Sequence, residues 1–382
     1  MSFVGLNQRA LLGSREQIEE ARQELAKHCS RVAILPMESE RWPLAQERAA
    51  LRSLITGSYD EAWMASKGMR RTIREEQGTF QPDVVHFDTV GLAQYLDEMN
   101  HEGRVLNHHN IESQMMSRRA DNESSSPKRR VLALQARRLL NLERRTASSF
   151  DAHLTVSDLD ATRLREVAPG ASVVVVPNGV DVDYFAPRHV DRQNRTPSLV
   201  FVGGLNWYPN SRAVRWFLDE IYPRIRARVP ACVLTVVGKD PPADIARAAE
   251  AIGAVRLTGE VDDIRPFVSE SDVYVCPMQD GGGTRLKILD ALAQGKPLVA
   301  TRMAVEGIPL QDGVHALLAD EPVAFAEAVV KLLEDRDRAR SLADAGRDFV
   351  VQRFGWPHIG ERLRMAYDAA LRASRDRGRA LP

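Results

Sequence analysis

The chain has 382 residues, of which 52 are Lys or Arg and 52 are Asp or Glu, so its formal net charge is zero. Hydrophobic residues make up 44% and charged residues 27%, a composition that excludes a disordered chain, a collagen-like repeat and a disulfide scaffold. The balanced charge offers no basic excess to a polyanion, and we therefore expect no nucleic acid among the partners.

The cysteines and the length of the apolar runs indicate in which cellular compartment the protein is found. Cys29, Cys232 and Cys276 are far apart and odd in number, so we expect them to be buried and reduced, as thiols are in the cytosol. No apolar run approaches the roughly 18 residues of a membrane span, and no signal peptide pattern opens the chain. We therefore expect a cytoplasmic protein whose contact with the inner membrane face is at most peripheral.

Short apolar runs alternate with longer amphipathic segments along the whole chain. The runs are rich in Val, Ile and Leu, which is typical of strands covered by helices on both faces, and the alternation predicts parallel sheets and an α/β class. The predicted strands are 31–35, 84–87, 104–108, 152–156, 172–177, 198–202, 232–238, 272–277 and 297–301. The predicted helices are 15–29, 127–149, 211–228, 242–252, 284–294 and 321–353.

The beginning of the chain departs from the pattern of a doubly wound domain. Such a domain usually opens with a strand, a glycine-rich turn and a helix. Here 2-SFVG-5 has the character of a strand end, and a loop leads from it directly to the helix 15–29. We therefore expect that the first βα unit of the N-terminal domain is missing, or that the start codon has been placed late.

The helical segment 127-PKRRVLALQARRLLNLERR-145 holds seven Lys or Arg residues and one acidic residue, Glu143. Apolar residues are interleaved with the basic ones at nearly helical spacing. This pattern is compatible with docking on an anionic membrane surface. The alternative, which we favour on sequence alone, is a helix whose basic face is solvated.

A polar break at 181–197, which has two prolines and no periodicity, predicts a linker. It separates an N-terminal domain, 1–187, from a C-terminal domain, 188–355. The remaining segment, 356–382, is predicted to be helical and is a candidate for crossing back to the N-terminal domain. Because ligands of doubly wound sheets bind at the carboxyl ends of the strands, we expect the site in the cleft between the domains.

A glycine triplet lies in 280-DGGGT-284, between a predicted strand and a predicted helix. Glycines before a helix let backbone amides approach an anion, which the helix dipole also favours. Arg285 and Lys287 follow in the predicted first turn, where cations oppose the dipole and do not stabilise the helix. A diphosphate between these cations and the glycines explains their placement. The alternative is a flexible glycine turn with two solvated side chains.

The next segment, 290-DALAQGKPLVAT-301, resembles the Glu-Ala-Met-Ala-x-Gly-x-Pro-Val-Val-Ala-Thr signature of the family 4, or group 1, glycosyltransferases. The other segments that resemble this family are 105-VLNHHNIESQMMSRR-119, 155-TVSDLDATRL-164, 173-VVVVPNGVDVDYF-185, 199-LVFVGGLNWYPNSRAVRWFLDEIYPRI-225 and 301-TRMAVEGIPLQDGVHALLAD-320. The resemblance covers roughly residues 84–355. It implies the GT-B fold, in which two doubly wound Rossmann-like domains face each other across a cleft, the first for the acceptor and the second for the donor.

The resemblance also implies roles for single residues. Asp290 takes the position of a Glu that holds the ribose hydroxyls of the donor nucleotide. Gly282 stands where a Glu that contacts the sugar is usual, and Glu306 is the nearest alternative carboxylate. His109, at a predicted strand end, would form a hydrogen bond with a sugar hydroxyl, unless it is only a turn residue.

The resemblance also implies that this chain neutralises the donor diphosphate with other residues than most members of the family. Family members usually carry an Arg in the loop after the first strand of the second domain and a Lys further along the chain. The corresponding segment, 203-GGLN-206, lacks both. Arg285 and Lys287 would then take over this role, with close backbone approach at Gly203, Gly204, Gly282, Gly283 and Thr284.

These features together imply a retaining, hexosyl-type glycosyltransferase that uses a nucleotide diphosphate sugar and a glycan or lipid-linked acceptor, as in polysaccharide biosynthesis. No metal or other cofactor is expected, because Asp181-Val-Asp183 lies in the linker and side-chain cations are present. Two alternatives stay open. One is a donor-binding protein with impaired catalysis, favoured by Gly282 and the missing first unit, and the other is a nucleotide-sugar epimerase of the GT-B fold.

Overall fold

The computed structural model describes residues 1–41, 43–100, 102–188 and 196–380. The strands are β1 (Ser2–Asn7), β2 (Arg31–Pro36), β3 (Val84–Phe87), β4 (Gly103–His108), β5 (Ala152–Thr155), β6 (Val173–Val175), β7 (Ser198–Val202), β8 (Val233–Val237), β9 (Val255–Leu257), β10 (Val273–Cys276), β11 (Leu298–Ala300) and β12 (Leu317–Leu318). The helices are α1 (Arg15–Ala26), α2 (Ala45–Thr56), α3 (Tyr59–Met64), α4 (Lys67–Thr79), α5 (Glu112–Asp121), α6 (Ser126–Thr146), α7 (Asp158–Val167), α8 (Tyr208–Trp216), α9 (Tyr222–Arg228), α10 (Ala243–Ile252), α11 (Arg265–Glu270), α12 (Leu286–Ala293), α13 (Pro322–Glu334), α14 (Arg336–Phe354) and α15 (Trp356–Ala380).

The chain divides into two compact units, and every sheet of both units is parallel. The predicted α/β class with parallel sheets is therefore confirmed. The first unit comprises Met1–Thr155, Asp160–Val175 and Leu363–Pro382, and the second comprises Val156–Leu159 and Val176–Arg362.

The boundary between these units differs from the boundary predicted at residue 187. The segment after β6 already belongs to the second unit, where the backbone N–H of Val180 donates to the Phe354 carbonyl at 2.8 Å. The prediction placed the boundary later because it relied on the polar composition of 181–197. Part of that predicted linker, 189–195, lies outside the described residues.

The first unit opens with a β-α-β unit, so the expectation of a missing first βα unit is wrong. β1 pairs in parallel with β2 along its whole length, from Ser2 opposite Arg31 to Asn7 opposite Pro36. The helix α1 that connects them begins with a capping box, in which the Ser14 side chain accepts from the Gln17 amide. A capping box, and not a glycine-rich turn, starts this helix, which is why the glycine criterion failed.

The remaining strands of the first unit form a sheet in the order β3-β4-β5-β6. Leu106 of β4 is fully buried and packs in a cluster with Phe87, Tyr95 and Leu142. The end of α15 packs against this sheet, because a side chain at Gly103 would come within 3.0 Å of the Ala370 backbone. The C-terminal helix thus completes the first unit.

The six strands of the second sheet follow the order β12-β11-β10-β7-β8-β9. The chain runs outward in one direction from β7 and in the other from β10, so the order reverses between these two neighbours. In open parallel sheets a ligand site lies outside the carboxyl ends of the strands at such a switch point. The topology therefore places the candidate site of this unit where β7 and β10 end.

The cysteines and the helices bear on the remaining predictions. Cys29, Cys232 and Cys276 are free and buried, as expected. Within the described ranges, no helix combines the length and the apolar character that crossing a membrane requires.

The predicted helix 321–353 is divided into α13 and α14, because the Asp335 side chain caps a new helix by accepting from the Arg338 amide at 2.9 Å.

Candidate functional site

Two loops meet at the switch point of the second sheet. The β7 loop, residues 203–207, follows β7, and the glycine loop, residues 280–285, follows β10. Gly281 and Gly283 have φ values of +128° and +64°, a region that favours glycine, so the triplet permits a turn that side chains would strain. Within the described part of the chain, the amides of Gly282 and Gly283 have no hydrogen-bond partner. Free amides just before α12 provide donors for an anion.

Arg285 is buried, with 7% of its surface exposed, and it lies against the glycine loop. Its guanidinium donates to the Gly283 carbonyl and, at 3.4 Å, to the Met303 sulfur. The Glu306 carboxylate is 4.0 Å from Nη1. The helix α12 begins only at Leu286, so the expectation that Arg285 stands in the first helical turn is wrong. The helix thus begins two residues later than predicted, and the glycine loop includes this cation.

Lys287 reaches from the first turn of α12 to the β7 loop. Its Nζ donates to Asn210 Oδ1 at 2.7 Å and lies 4.5 Å from the centre of the Phe201 ring. A Cβ atom at Gly203 would be only 2.5 Å from this Nζ, so glycine leaves the space that the ammonium occupies. Burial, and the neighbouring charge of Arg285, lower the pKa of Lys287 to about 8. Neither cation is splayed into bulk water.

Asn210 is a residue of this site that the sequence analysis missed. It is 7% exposed and, besides accepting from Lys287, it donates from Nδ2 to the Gly204 carbonyl at 2.9 Å. One buried amide thus holds the ammonium and the β7 loop in a fixed relation. The available signal was a polar residue in the first turn of a helix that follows a buried strand and a glycine pair.

Asp280 is engaged within the protein. Its carboxylate is 4% exposed, accepts from the Tyr208 hydroxyl, and has Arg212 Nη1 at 3.8 Å. Its other oxygen accepts from the Gly281 amide at 2.7 Å. Asp280 therefore fixes the start of the glycine loop against α8.

The remaining predicted residues of this unit lie along the same edge. Thr284 donates through its hydroxyl to the Val156 carbonyl at 3.4 Å. Asp290 is partly buried on α12, and loss of water raises the pKa of its carboxyl to about 7. Among the described residues, none forms a hydrogen bond with the Asp290 carboxyl. It therefore has free acceptor capacity, as a residue that holds hydroxyls requires.

His109 belongs to the first unit, where it follows β4. Its side chain is 48% exposed, and its Nε2 lies 2.9 Å from Asp88 Oδ1. The hydrogen bond with Asp88 raises the pKa of His109. The preceding His108 is buried and pairs with His153, and burial lowers its pKa to about 3. Of the two adjacent histidines, His109 is the one that solvent or a ligand reaches.

Sequence profiles of two glycosyltransferase families match separate parts of the chain. The profile described as "Glycosyltransferase Family 4" matches residues 13–184. The profile described as "Glycosyl transferases group 1" matches residues 196–335. Together they reach from the first unit through most of the second.

Among the similar proteins are two mannosyltransferases of Mycobacterium tuberculosis. One is a phosphatidyl-myo-inositol mannosyltransferase, 29% identical over 228 residues, which are 56% of this chain and 58% of that protein. The other is a GDP-mannose-dependent alpha-(1-6)-phosphatidylinositol monomannoside mannosyltransferase, 29% identical over 58% of this chain and 62% of its own length. The chain thus matches less than two thirds of the length of these relatives.

Solved structures resemble the whole chain more broadly. Sucrose-phosphate synthase from Thermosynechococcus elongatus has a TM-score of 0.66 and 17% identity, covering 89% of this chain and 84% of its own. HepE from Anabaena in complex with UDP-glucose has a TM-score of 0.63 and 15% identity, covering 91% of this chain and 88% of its own. At this identity the likeness concerns the fold, and the predicted GT-B fold is confirmed.

Proposed function

The chain belongs to the family 4 (group 1) glycosyltransferases, and we propose that it transfers a hexose from a nucleotide diphosphate sugar to a glycan or lipid-linked acceptor with retention of anomeric configuration. The observation on which this rests most is the pair of cations, the buried Arg285 and the half-buried Lys287, beside the amides of Gly282 and Gly283, which have no hydrogen-bond partner among the described residues. Family membership supports sugar transfer in general, and the choice of donor, acceptor and stereochemistry is part of the proposal.

The chemistry follows from where charge develops. When the bond between the anomeric carbon and the diphosphate breaks, negative charge accumulates on the departing phosphate oxygens. Fixed cations and amides at that point stabilise the transition state more than the ground state, because they need no reorganisation as the charge grows. The guanidinium of Arg285, the ammonium of Lys287 and the amides at Gly282 and Gly283 are assigned this role, so the proposal includes no metal ion.

Three further residues are assigned to the sugar nucleotide. Asp290 accepts hydrogen bonds from the ribose hydroxyls, using the acceptor capacity that no described residue occupies. Glu306, held 4.0 Å from Arg285, contacts the transferred sugar. His109 of the first unit forms a hydrogen bond with a sugar hydroxyl. The backbone at Gly203 and Gly204 is assigned close approach to the diphosphate, and the missing side chain at Gly203 leaves the space that the Lys287 ammonium occupies.

Donor specificity is tested first with the sugars named for similar proteins. The purified chain is titrated calorimetrically with GDP-mannose and UDP-glucose, and NMR then follows the anomeric configuration of the product. Transfer with retention supports the proposal. Donor binding without any turnover would instead support the catalytically impaired protein, and release of an epimer of the donor would support the epimerase.

Donor affinity is expected to depend on pH in two opposite ways. As pH falls through about 7 the Asp290 carboxyl gains a proton, and a neutral carboxyl accepts hydrogen bonds more weakly than a carboxylate. As pH rises through about 8 the Lys287 ammonium loses its charge, so affinity falls on that side too. Affinity therefore passes through a maximum between these values, which calorimetry across this range will measure.

The variant Asp290→Asn separates the two limbs of this profile. It removes the acidic limb and leaves the alkaline one, because an amide does not titrate. A sugar diphosphate diester is the right probe, since it has no ionisation of its own near neutrality. An acidic limb that persists in the variant would contradict the assignment of Asp290.

We also propose that α6 docks the protein on an anionic membrane surface. Val131 and Leu134 of this helix are 59% and 44% exposed, and the exposed Lys128, Arg129 and Arg130 flank them. Exposed aliphatic side chains among cations suit a lipid interface better than bulk water. This observation favours docking over the solvated helix that the sequence alone suggested.

Substitutions on α6 test the docking. Replacing both Val131 and Leu134 by Glu is expected to weaken binding to phosphatidylserine-containing vesicles about tenfold or more, because each buried aliphatic side chain contributes roughly 1.5–3 kcal/mol. The matched control is Val323→Glu, which changes a residue of α13 that is 55% exposed in the second unit. Co-sedimentation that is equal in all three proteins, or absent in the wild type, would refute the docking.

A further inference from the structure

A polar cluster of the first unit lies where two neighbouring strands end. Asp88 directly follows β3, and Asn107 and His109 lie at and after the end of β4, so the parallel pairing brings the three together. His109 Nε2 is 2.9 Å from Asp88 Oδ1, and Asn107 Nδ2 is 3.2 Å from the same oxygen. The sequence alone pointed to His109 but not to its two partners.

The chemistry of these groups determines which ring nitrogen carries the proton. A carboxylate only accepts, so the hydrogen bond of 2.9 Å requires that His109 Nε2 donates to Asp88. The Asn107 amide nitrogen also donates to Asp88 and completes the cluster. The other ring nitrogen, Nδ1, forms no hydrogen bond with any residue in the described ranges. It is the nitrogen left for a ligand on a side chain that is 48% exposed.

The surrounding charges favour the protonated ring. Asp88 and, more weakly, Glu112 on α5 raise the pKa of His109, against the opposing effect of burial. His86 and His108 on the neighbouring strand positions are more buried, and burial lowers the pKa of both. Behind them, Tyr367 of α15 is joined to His86 Nδ1 at 2.7 Å, and burial raises the pKa of its hydroxyl. Of these histidines, His109 is thus the one whose pKa Asp88 raises through a direct hydrogen bond.

We propose that Asp88 is a positioning residue, which holds the His109 ring so that Nδ1–H donates to an oxygen of the sugar nucleotide. This inference rests on the proposed function and deepens it. Asp88 itself contacts no substrate and acts through the histidine, as the acidic partner of a catalytic imidazole orients its ring and fixes its tautomer.

The first test measures the charge of His109 without any turnover. Histidines carrying ¹³C at Cε1 are titrated by NMR in the wild type, in Asp88→Asn and in Asp83→Asn, and His109→Gln identifies the signal. Asp83 is the matched control, because it is an exposed aspartate at the opposite end of β3. We expect the proton affinity of His109 to fall about tenfold in Asp88→Asn, one unit of pKa, and to stay unchanged in Asp83→Asn. Equal titration in all three proteins would overturn the proposal.

The second test asks whether the reaction uses this charge. In the wild type, kcat/KM for the donor is expected to fall as pH rises through the pKa of His109. In Asp88→Asn this limb moves to lower pH, and Asp88→Glu restores part of the shift because it returns a carboxylate. An Asp88→Asn profile identical to that of the wild type would overturn the proposal. A wild type without turnover contradicts the proposed function instead, while the NMR titration still decides whether Asp88 controls His109.

Discussion

Replacing Lys287 by methionine is expected to slow donor turnover by about 10²–10³-fold. Methionine fills most of the space of the lysine but removes the ammonium that donates to Asn210 beside the β7 loop. Loss of one fixed donor at a site of developing charge costs roughly 2.7–4 kcal/mol in enzymes where it has been removed. Because the charge on the diphosphate grows in the transition state, the loss falls mainly on kcat, which steady-state kinetics at saturating donor will show.

Lys296→Met provides a matched control for this variant. Lys296 is a buried lysine of the same unit, and its Nζ donates to the carbonyls of Ser269 and Ser271, both at 2.7 Å. Its loss leaves buried carbonyls without a donor and is expected to lower Tm, with kcat of the folded protein unchanged. If Lys287→Met turned over as fast as the wild type, the role of the ammonium in diphosphate departure would be refuted.

Replacing Arg285 by alanine is expected to reduce turnover to a similar extent, roughly 2–4 kcal/mol, and to loosen donor binding as well. The guanidinium both supplies charge and holds the glycine loop, through the Gly283 carbonyl and the Met303 sulfur. Arg285→Lys restores the charge but not the planar fork that makes both contacts. We therefore expect the lysine variant to recover only part of kcat while KM for the donor stays raised.

The control for Arg285 is Arg302→Ala in the neighbouring segment. Arg302 is exposed and pairs with Asp320 at 2.9 Å, so its removal is expected to leave kcat and KM near the wild-type values. Calorimetry measures the affinity of Arg285→Ala, Arg285→Lys and Arg302→Ala for the nucleoside diphosphate product. Comparing these affinities separates the loss of charge from the loss of loop order. Unchanged product affinity and turnover in Arg285→Ala would contradict the assignment.

The fold was predictable where local pattern and tertiary structure agree. Buried strands such as β7 and β10 are continuous apolar runs, and their parallel arrangement follows from the helices between them. The segment predicted as a single helix, 211–228, contains two α-helices, because a π-helical turn at Phe217–Ile221 precedes Pro223 and separates α8 from α9. The β-α-β start was missed because its helix begins with a capping box.

Apart from the residues that the family resemblance indicates, the sequence pointed to site residues only where their placement conflicts with local stability. Lys287 stood out because a cation near a helix start opposes the dipole. Asn210 and Asp88 carry no such conflict, since an asparagine in a first helical turn and an aspartate after a strand are ordinary. Their roles depend on their hydrogen-bond partners, Lys287 and His109, which lie 77 and 21 positions away in the chain. Only the folded structure brings these partners within hydrogen-bond distance.

The space shared by Gly203 and Lys287 has a consequence for how this protein can change. Any side chain at 203 would meet the tip of the lysine at 2.5 Å, so even the smallest addition there forces the cation out of its place. Shortening the lysine alone would not release the glycine, because a Cβ atom at 203 would also come within 2.8 Å of the Asn210 amide nitrogen. A side chain at 203 therefore requires changes at both Asn210 and Lys287, and the three positions are expected to vary only together.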